Sequence, residues 1–183
     1  MEGKMNRELY GKIQNKALEL FEKANIVLTD KEKENIEVAD FGLGKIENIG
    51  LQLVTYVNTD LVCAKELALL PNQTCPEHKH PKREFDDGKE ETFRCRFGIV
   101  YLYVEGDEVK NLSSQLPEGD EKYYTVFNEI ILHPGEQYTI LPNTLHWFKA
   151  GSEGAVVSEF STRSTDEDDI FTDPRIKRIP EIS

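Results

Sequence analysis

Cysteine is scarce in this chain. The 183 residues contain three cysteines, Cys63, Cys75 and Cys95, and no Cys-x-x-Cys pair. An odd number without such a pair argues against a disulfide-bonded scaffold and indicates a reducing environment. We expect Cys75 and Cys95 to be small buried residues.

Long apolar runs and basic stretches are also absent. No stretch near the N-terminus is apolar enough for a signal peptide or a membrane span, so we expect a cytoplasmic protein without a membrane partner. Lys and Arg number 22 against 34 Asp and Glu, which gives a net charge of −12. This balance argues against nucleic acid as a partner and favours an uncharged ligand over an anionic one.

The beginning of the chain is predicted to be helical. Apolar residues recur there at steps of three and four and form one face: Leu9, Ile13, Ala17, Leu20, Phe21 and Ala24. A capping box at Thr29 and Glu32 predicts a second, shorter helix that ends at the glycines Gly42 and Gly44. We expect residues 1–48 to be a helical segment that packs on a barrel, and residues 49–183 to form that barrel and its C-terminal tail.

After the helical segment, short runs rich in Val, Ile, Tyr, Phe and Thr alternate with turn residues, which is typical of an all-β barrel or sandwich. The predicted strands are Leu51–Val57, Ala64–Leu70, Thr92–Phe97, Ile99–Val104, Tyr124–Leu132, Gln137–Leu141, His146–Lys149 and Ala155–Ser161. Residues 82–89 and 113–122 are predicted to be exposed loops, and the acidic run 166–169 a solvated one.

Three of the four histidines fit one metal site. His78 and His80 are separated by one residue, which on an extended segment points both imidazoles to the same face. Glu91 begins the next strand run, and His146 opens a later one. Three imidazoles and a carboxylate suit Mn²⁺, Fe²⁺, Co²⁺, Ni²⁺ or Zn²⁺. His133 lies beside a turn and is interpreted as an ordinary loop histidine.

A His-x-His pair alone would also fit a surface turn, but the whole set matches the two-part motif of the cupin superfamily. The match runs through His78, His80, Glu91, Gly98, Gly135, Pro142 and His146. The gap between His80 and Glu91 is longer than in that motif, and the usual glycine between the proline and the last histidine is missing. Glu84 and Glu90 compete with Glu91, which alone keeps the motif's spacing to the glycine.

Longer stretches resemble one cupin family, the D-lyxose isomerases. They are residues 39–44, 73–81, 91–96, 100–106, 142–148 and 170–175. The resemblance implies a mainly β fold, a single cupin (jelly-roll) barrel with N-terminal helices. It further implies interconversion of D-lyxose with D-xylulose and of D-mannose with D-fructose, a divalent metal, preferably Mn²⁺, and a homodimer.

Moving a carbonyl group between C1 and C2 also requires a base. Glu159 is the first candidate, because an apolar strand run is a poor place for a carboxylate unless it faces the barrel lumen. Lys65 shares a strand face with two leucines but would equally suit an edge strand facing water. Asp169 is a third catalytic candidate. Asp173 and Arg175 are candidates for substrate binding, although Arg175 would also serve to hold the tail.

Two other classes of function stay open from the sequence. One is another metal-dependent cupin enzyme, either a dioxygenase with an apolar pocket or a phosphosugar isomerase with a basic phosphate clamp. The other is a non-catalytic sugar-binding cupin, which need not keep metal ligands. A sugar sensor would carry a DNA-binding module, and the sequence has no basic recognition helix.

Overall fold

The computed structural model of the chain describes residues 5–84 and 86–179. Its helices are α1 (Arg7–Lys23) and α2 (Asp30–Glu34), and two short 3-10 helices cover Glu121–Tyr123 and Asp166–Asp168. The strands are β1 (Glu37–Ala39), β2 (Leu51–Asn58), β3 (Cys63–Leu69), β4 (Thr74–Lys79), β5 (Glu91–Val104), β6 (Asn128–Leu132), β7 (Gln137–Ile140), β8 (His146–Ser161) and β9 (Ile170–Phe171). No helix among the described residues is long and apolar enough to cross a membrane.

Helix α1 has the apolar face that the sequence predicts. Asn6 caps its N-terminus by accepting the backbone N–H of Leu9 at 2.8 Å. The buried residues of the helix pack with apolar side chains of β1, β2, β3 and β8 on the outside of the sheet: Ile13, Ala17, Leu20 and Phe21. The helix therefore shields one outer face of the barrel from water.

The predicted end of the second helix is wrong. The capping box of Thr29 and Glu32 is present, but α2 ends at Glu34, well before the glycines. Ile36 and Val38 alternate into the core beneath α1, and this period of two suits a strand rather than a helix. The chain therefore continues as β1, which pairs with β2, so the N-terminal segment adds a strand to the barrel.

One sheet contains all nine strands, in the order β1-β2-β3-β8-β4-β9, with β5 pairing to β6, β7 and β8. The strand β8 pairs with β4 through its first half and with β3 through its second half, and β5 runs along most of its length. Because these two long strands take part in both halves, the antiparallel sheet curls round a central core. This is the mainly β cupin fold with an N-terminal helix.

The strands β5 and β8 are each predicted as two strands but are each continuous. Gly98 in β5 has φ +72°, and a Cβ atom there would lie 2.0 Å from the carbonyl oxygen of Gly154 in β8. The register between the two strands shifts at this point. The glycines therefore bend the paired strands instead of ending them.

The strand predicted from Tyr124 begins later, at Asn128. Tyr124 instead packs edge-on against the indole of Trp147, with ring centroids 4.8 Å apart. Trp147 also stacks on Tyr103, with ring centroids 3.9 Å apart, and is fully buried, so its role is packing. This aromatic cluster holds the preceding loop against the sheet, and the chain pairs as a strand only beyond it.

Two segments predicted to be solvated are partly buried. Lys89, at the end of the predicted loop 82–89, is only 4% exposed. The acidic run 166–169 folds back over the barrel as a 3-10 helix that leads into β9, and Asp166 bonds to Lys65 at 2.9 Å. The physical reason is the same in both segments, because Lys89 and Asp166 each find partners of opposite charge inside the barrel.

Candidate metal centre and active site

Three histidines converge inside the barrel. His78 lies in β4 and His146 opens β8, and the two residues are direct cross-strand partners. His80 follows the end of β4 by one residue, on the same face as His78 because side chains alternate along an extended chain. One ring nitrogen from each histidine lies within 4.8 Å of the others, and all three side chains are buried.

Backbone contacts fix which nitrogen two of these rings present. Nδ1 of His78 lies 2.7 Å from the carbonyl oxygen of Pro76, and Nδ1 of His146 lies 2.9 Å from that of Thr144. A carbonyl oxygen only accepts, so each ring donates its Nδ1–H and keeps a lone pair on Nε2. Burial lowers the pKa of His78 well below its usual value, which keeps that lone pair free to bind a cation.

His80 is oriented by carboxylates on both sides of its ring. Its Nδ1 lies 2.5 Å from Oδ1 of Asp169, and its Nε2 lies 3.2 Å from Oε1 of Glu91. Burial opposes a charge on this imidazole, but the charge of Glu91 and the hydrogen bond to Asp169 outweigh burial and raise the pKa of His80 to about 9. The surroundings of this ring therefore favour positive charge at this point of the cavity.

Glu91, the first residue of β5, supplies an oxygen to the same centre. Its Oε1 lies 3.0 Å from Nε2 of His146, but the two atoms are not aligned for a hydrogen bond. The buried Nε2 of His146 therefore has no hydrogen-bond partner among the described residues. Burial would raise the pKa of Glu91, but the charges of Lys89 and His80 hold it well below its usual value. An anionic carboxylate beside three imidazoles with convergent Nε2 atoms fits a divalent cation.

A second group of charges lies beside this centre. Lys65 in β3 and Phe93 in β5 are both cross-strand partners of Glu159 in β8, so the three side chains share the inner face of the barrel. Oε1 of Glu159 lies 2.5 Å from Nζ of Lys89 and 3.9 Å from Nζ of Lys65. Nζ of Lys89 also lies 2.7 Å from Oε2 of Glu91, and so it connects Glu159 to the histidine centre.

Lys89 is the residue of this group that the sequence prediction missed. Its signal is the spacing, because it stands two residues before Glu91 and so shares a face with it on an extended chain. Burial lowers the pKa of its ammonium group, but the charges of Glu159 and Glu91 outweigh burial and hold that pKa well above its usual value. Burial also lowers the pKa of Lys65, but the charges of Glu159 and Asp166 outweigh burial and raise it.

Of the histidines and charged side chains described above, all but His146 are among the residues that line one cavity. Its lining also includes Asp166 and Arg178, neither of which the sequence predicts at the site. Its apolar wall consists of Phe41, Leu51, Leu53, Leu67, Phe93, Phe148 and Phe171. Cys75 also lines the cavity, but burial raises the pKa of its thiol well above the usual value, so the thiolate is disfavoured as a ligand.

The remaining predicted site residues lie in different places. Asp169 lines the cavity, where it bonds to His80. Asp173 and Arg175 are not among the cavity-lining residues that the structure describes. The guanidinium group of Arg175 donates to Asp173 at 2.9 Å and to Asp120 at 2.5 Å, and it lies 4.5 Å above the ring of Tyr123. These contacts hold the tail against the neighbouring loop.

Comparison with solved structures identifies the same fold in sugar isomerases. The L-ribose isomerase of Acinetobacter sp. DL28, solved in complex with L-ribose, superposes with a TM-score of 0.80 at 17% sequence identity, covering 100% of this chain and 99% of that one. The ligand-free L-ribose isomerase of Cellulomonas parahominis gives a TM-score of 0.80 at 16% identity, with 100% of both chains covered. At these identities the likeness concerns the fold alone.

Comparison of sequences is more specific. The family model described as D-lyxose isomerase matches residues 21–183. A D-lyxose/D-mannose isomerase of Thermosediminibacter oceani is 68% identical over 170 residues, which covers 93% of this chain and 94% of that protein. A D-lyxose ketol-isomerase of Thermofilum sp. is 57% identical over 178 residues, which covers 97% of this chain and 99% of that protein. The chain therefore belongs to the D-lyxose isomerase family, and it is an aldose–ketose isomerase.

Proposed function

We propose that the chain interconverts D-lyxose with D-xylulose and D-mannose with D-fructose, using one divalent cation, preferably Mn²⁺. The observation that carries the proposal is the convergence of three imidazole Nε2 atoms and the Glu91 carboxylate beside the buried Lys89–Glu159 pair. The relatives named for D-lyxose and D-mannose support the choice of sugars.

The cation would be held by His78, His80, Glu91 and His146. When bound, it would supply a Lewis acid that polarises the sugar carbonyl and stabilises the negative charge that develops when the C2 proton leaves. Four protein ligands leave room for two sugar oxygens on an ion that prefers six-fold coordination, which favours Mn²⁺ over Zn²⁺. The apolar wall of the cavity limits the water around the reacting carbons.

Glu159 is proposed as the base. It would take the proton from C2 of the aldose and return it to C1, while a second proton passes between the two substrate oxygens, so that aldose and ketose differ only in the position of hydrogen. Lys65 and Lys89 are worse bases, because their raised pKa values keep them as ammonium groups. Instead, the two ammonium groups contact Oε1 of Glu159 and hold its carboxylate towards the cavity.

Free sugars fit this cavity better than phosphorylated ones. Each cation that lines it is already paired with a carboxylate: Lys65 with Asp166, Lys89 with Glu91 and Glu159, and Arg178 with Asp166 and Glu37. A phosphate group would have to displace one of these partners. The net charge of −12 adds no attraction for an anion.

The test is a ketose assay with the purified chain, Mn²⁺ and a panel of free and phosphorylated aldoses. We expect turnover of D-lyxose and D-mannose, loss of turnover with a chelator, and recovery when Mn²⁺ is restored. His146→Ala should lose both metal and turnover, while His133→Ala, which changes an exposed loop histidine, should behave as the parent. A Mn²⁺-loaded chain that turns over only phosphorylated sugars, or none, would contradict the proposal.

A further inference from the structure

The three histidines of the centre are held in two different ways. His78 and His146 each donate Nδ1–H to a carbonyl oxygen two residues earlier in the chain, so their ring orientation is a local property of the strand. Nδ1 of His80 instead meets Oδ1 of Asp169, which lies 89 residues away in sequence. One of the three rings therefore depends on a segment from the far end of the chain.

Strand pairing brings these two side chains together. In the antiparallel pair of β4 and β9, His78 lies opposite Phe171. The same register, continued by two residues, places His80 opposite Asp169. His80 lies just after β4, and Asp169 lies just before β9. Phe171 also stacks on the imidazole of His78, with ring centroids 5.3 Å apart and planes inclined by 29°. Strand β9 thus presents Phe171 to His78, and the residue just before the strand, Asp169, meets His80.

The segment that carries Asp169 is anchored on both sides. After β9, Thr172 donates its hydroxyl to Oε1 of Glu77 at 2.6 Å and its backbone N–H to the Glu77 carbonyl oxygen at 3.1 Å. Before β9, Asp166 accepts from Lys65 at 2.9 Å and from Arg178 at 3.0 Å. These contacts restrict how far Asp169 is able to move relative to β4.

We propose that Asp169 is a positioning residue that holds His80 for metal binding, and not the base of the reaction. This inference rests on the metal centre of the proposed function. A carboxylate on Nδ1 fixes the tautomer, orients the ring and makes Nε2 a stronger donor to a cation. Oδ1 of Asp169 is engaged at Nδ1, on the side of the imidazole away from Nε2. Its action on the substrate is therefore indirect.

The experiment measures Mn²⁺ affinity by competition with a fluorescent chelator, for the parent and for Asp169→Ala, Asp169→Asn and Asp168→Asn. We expect the dissociation constant to rise about 10- to 100-fold in Asp169→Ala. Asp169→Asn should lose less affinity, because its amide oxygen still accepts from Nδ1, and it should keep most of its turnover at saturating Mn²⁺. Asp168→Asn removes a half-exposed carboxylate from the same acidic run and should match the parent.

The outcomes separate the inference from the proposed function. If Asp169→Ala binds Mn²⁺ like the parent yet loses turnover at saturating metal, Asp169 acts on the substrate and the inference is wrong. If the parent binds Mn²⁺ but isomerises no sugar, the proposed function fails, while the ratio of affinities still decides the role of Asp169. A parent that binds no divalent cation contradicts both. Should Asp169→Ala fail to fold in a thermal melt, the affinity of Asp169→Asn decides.

Discussion

Replacement of Glu159 by Gln separates metal binding from proton transfer. The amide has nearly the volume of the carboxylate, and its oxygen still accepts from Nζ of Lys89, which lies 2.5 Å from Oε1. Because Glu159 is outside the proposed set of four metal ligands, Mn²⁺ affinity should stay within a few-fold of the parent. An amide oxygen is a very weak base, so turnover should fall by about 10²- to 10⁴-fold, the usual contribution of a general base.

The cost of this substitution in stability follows from the remaining ion pairs. Removing one partner of a buried pair costs about 3–5 kcal/mol when the other charge is left alone. Lys89 keeps a second carboxylate, Glu91, at 2.7 Å, so the loss in unfolding free energy should be below that range. Chemical denaturation of the metal-free protein measures it and confirms that the variant is folded.

The matched control is Glu66→Gln. Glu66 is as buried as Glu159 and lies next to Lys65 in β3, but it points to the other face of the sheet, where it accepts from Ser158 at 2.8 Å. This variant should turn over sugar like the parent. Turnover of Glu159→Gln within tenfold of the parent would refute the assignment of the base, and loss of Mn²⁺ from that variant would give Glu159 a structural role instead.

Two further predictions concern the frame around the site. Gly98→Ala should lower the unfolding free energy by at least about 1–3 kcal/mol, because φ is +72° and a Cβ would lie 2.0 Å from the Gly154 carbonyl oxygen. Gly11→Ala, in open space on α1, should instead raise it by about 0.5–1 kcal/mol, and denaturant titration compares the two. Asp166→Asn should destabilise most at neutral pH. Burial opposes ionisation of Asp166, but the charge of Lys65 and its other cationic neighbours hold its pKa below the usual value. That stability is present above about pH 4 and is lost as the pH falls further, so the difference from the parent in pH-dependent melts should shrink in acid.

Local patterns in the sequence were enough to predict the fold class and the convergence of three histidines. The apolar face of α1 and the capping box at Thr29 are properties of neighbouring residues, and the structure contains both. His78, His80 and His146 lie together because alternation along strands and a fixed order of strands place them so. The helix face, the capping box and the histidine spacing are all patterns along the chain, so a single sequence is enough to show them.

The missed features depend on contacts between distant parts of the chain. Lys89 reads as a loop residue until Glu159, seventy positions later by number, is known to lie beside it. The burial of Asp166 similarly requires Lys65 and Arg178, and the orientation of His80 requires the register of β9 against β4. Spacing relates Lys89 to Glu91, but it gives no signal for these distant partners. Gly98 led to a wrong prediction because a glycine between two apolar runs is typical of a strand end. In the structure β5 stays paired with β8 on both sides of Gly98, so the glycine bends the strand and does not end it.

We propose that one divalent cation at the histidine centre makes this chain an isomerase. The most direct measurement is to strip the protein of metal, add back Mn²⁺ in steps, and follow bound metal and the conversion of D-lyxose to D-xylulose in the same samples. Turnover is predicted to rise in proportion to bound Mn²⁺ and to level off at one ion per chain. Full turnover by the metal-free protein, or turnover that does not follow the bound ion, would show that the reaction does not depend on this cation.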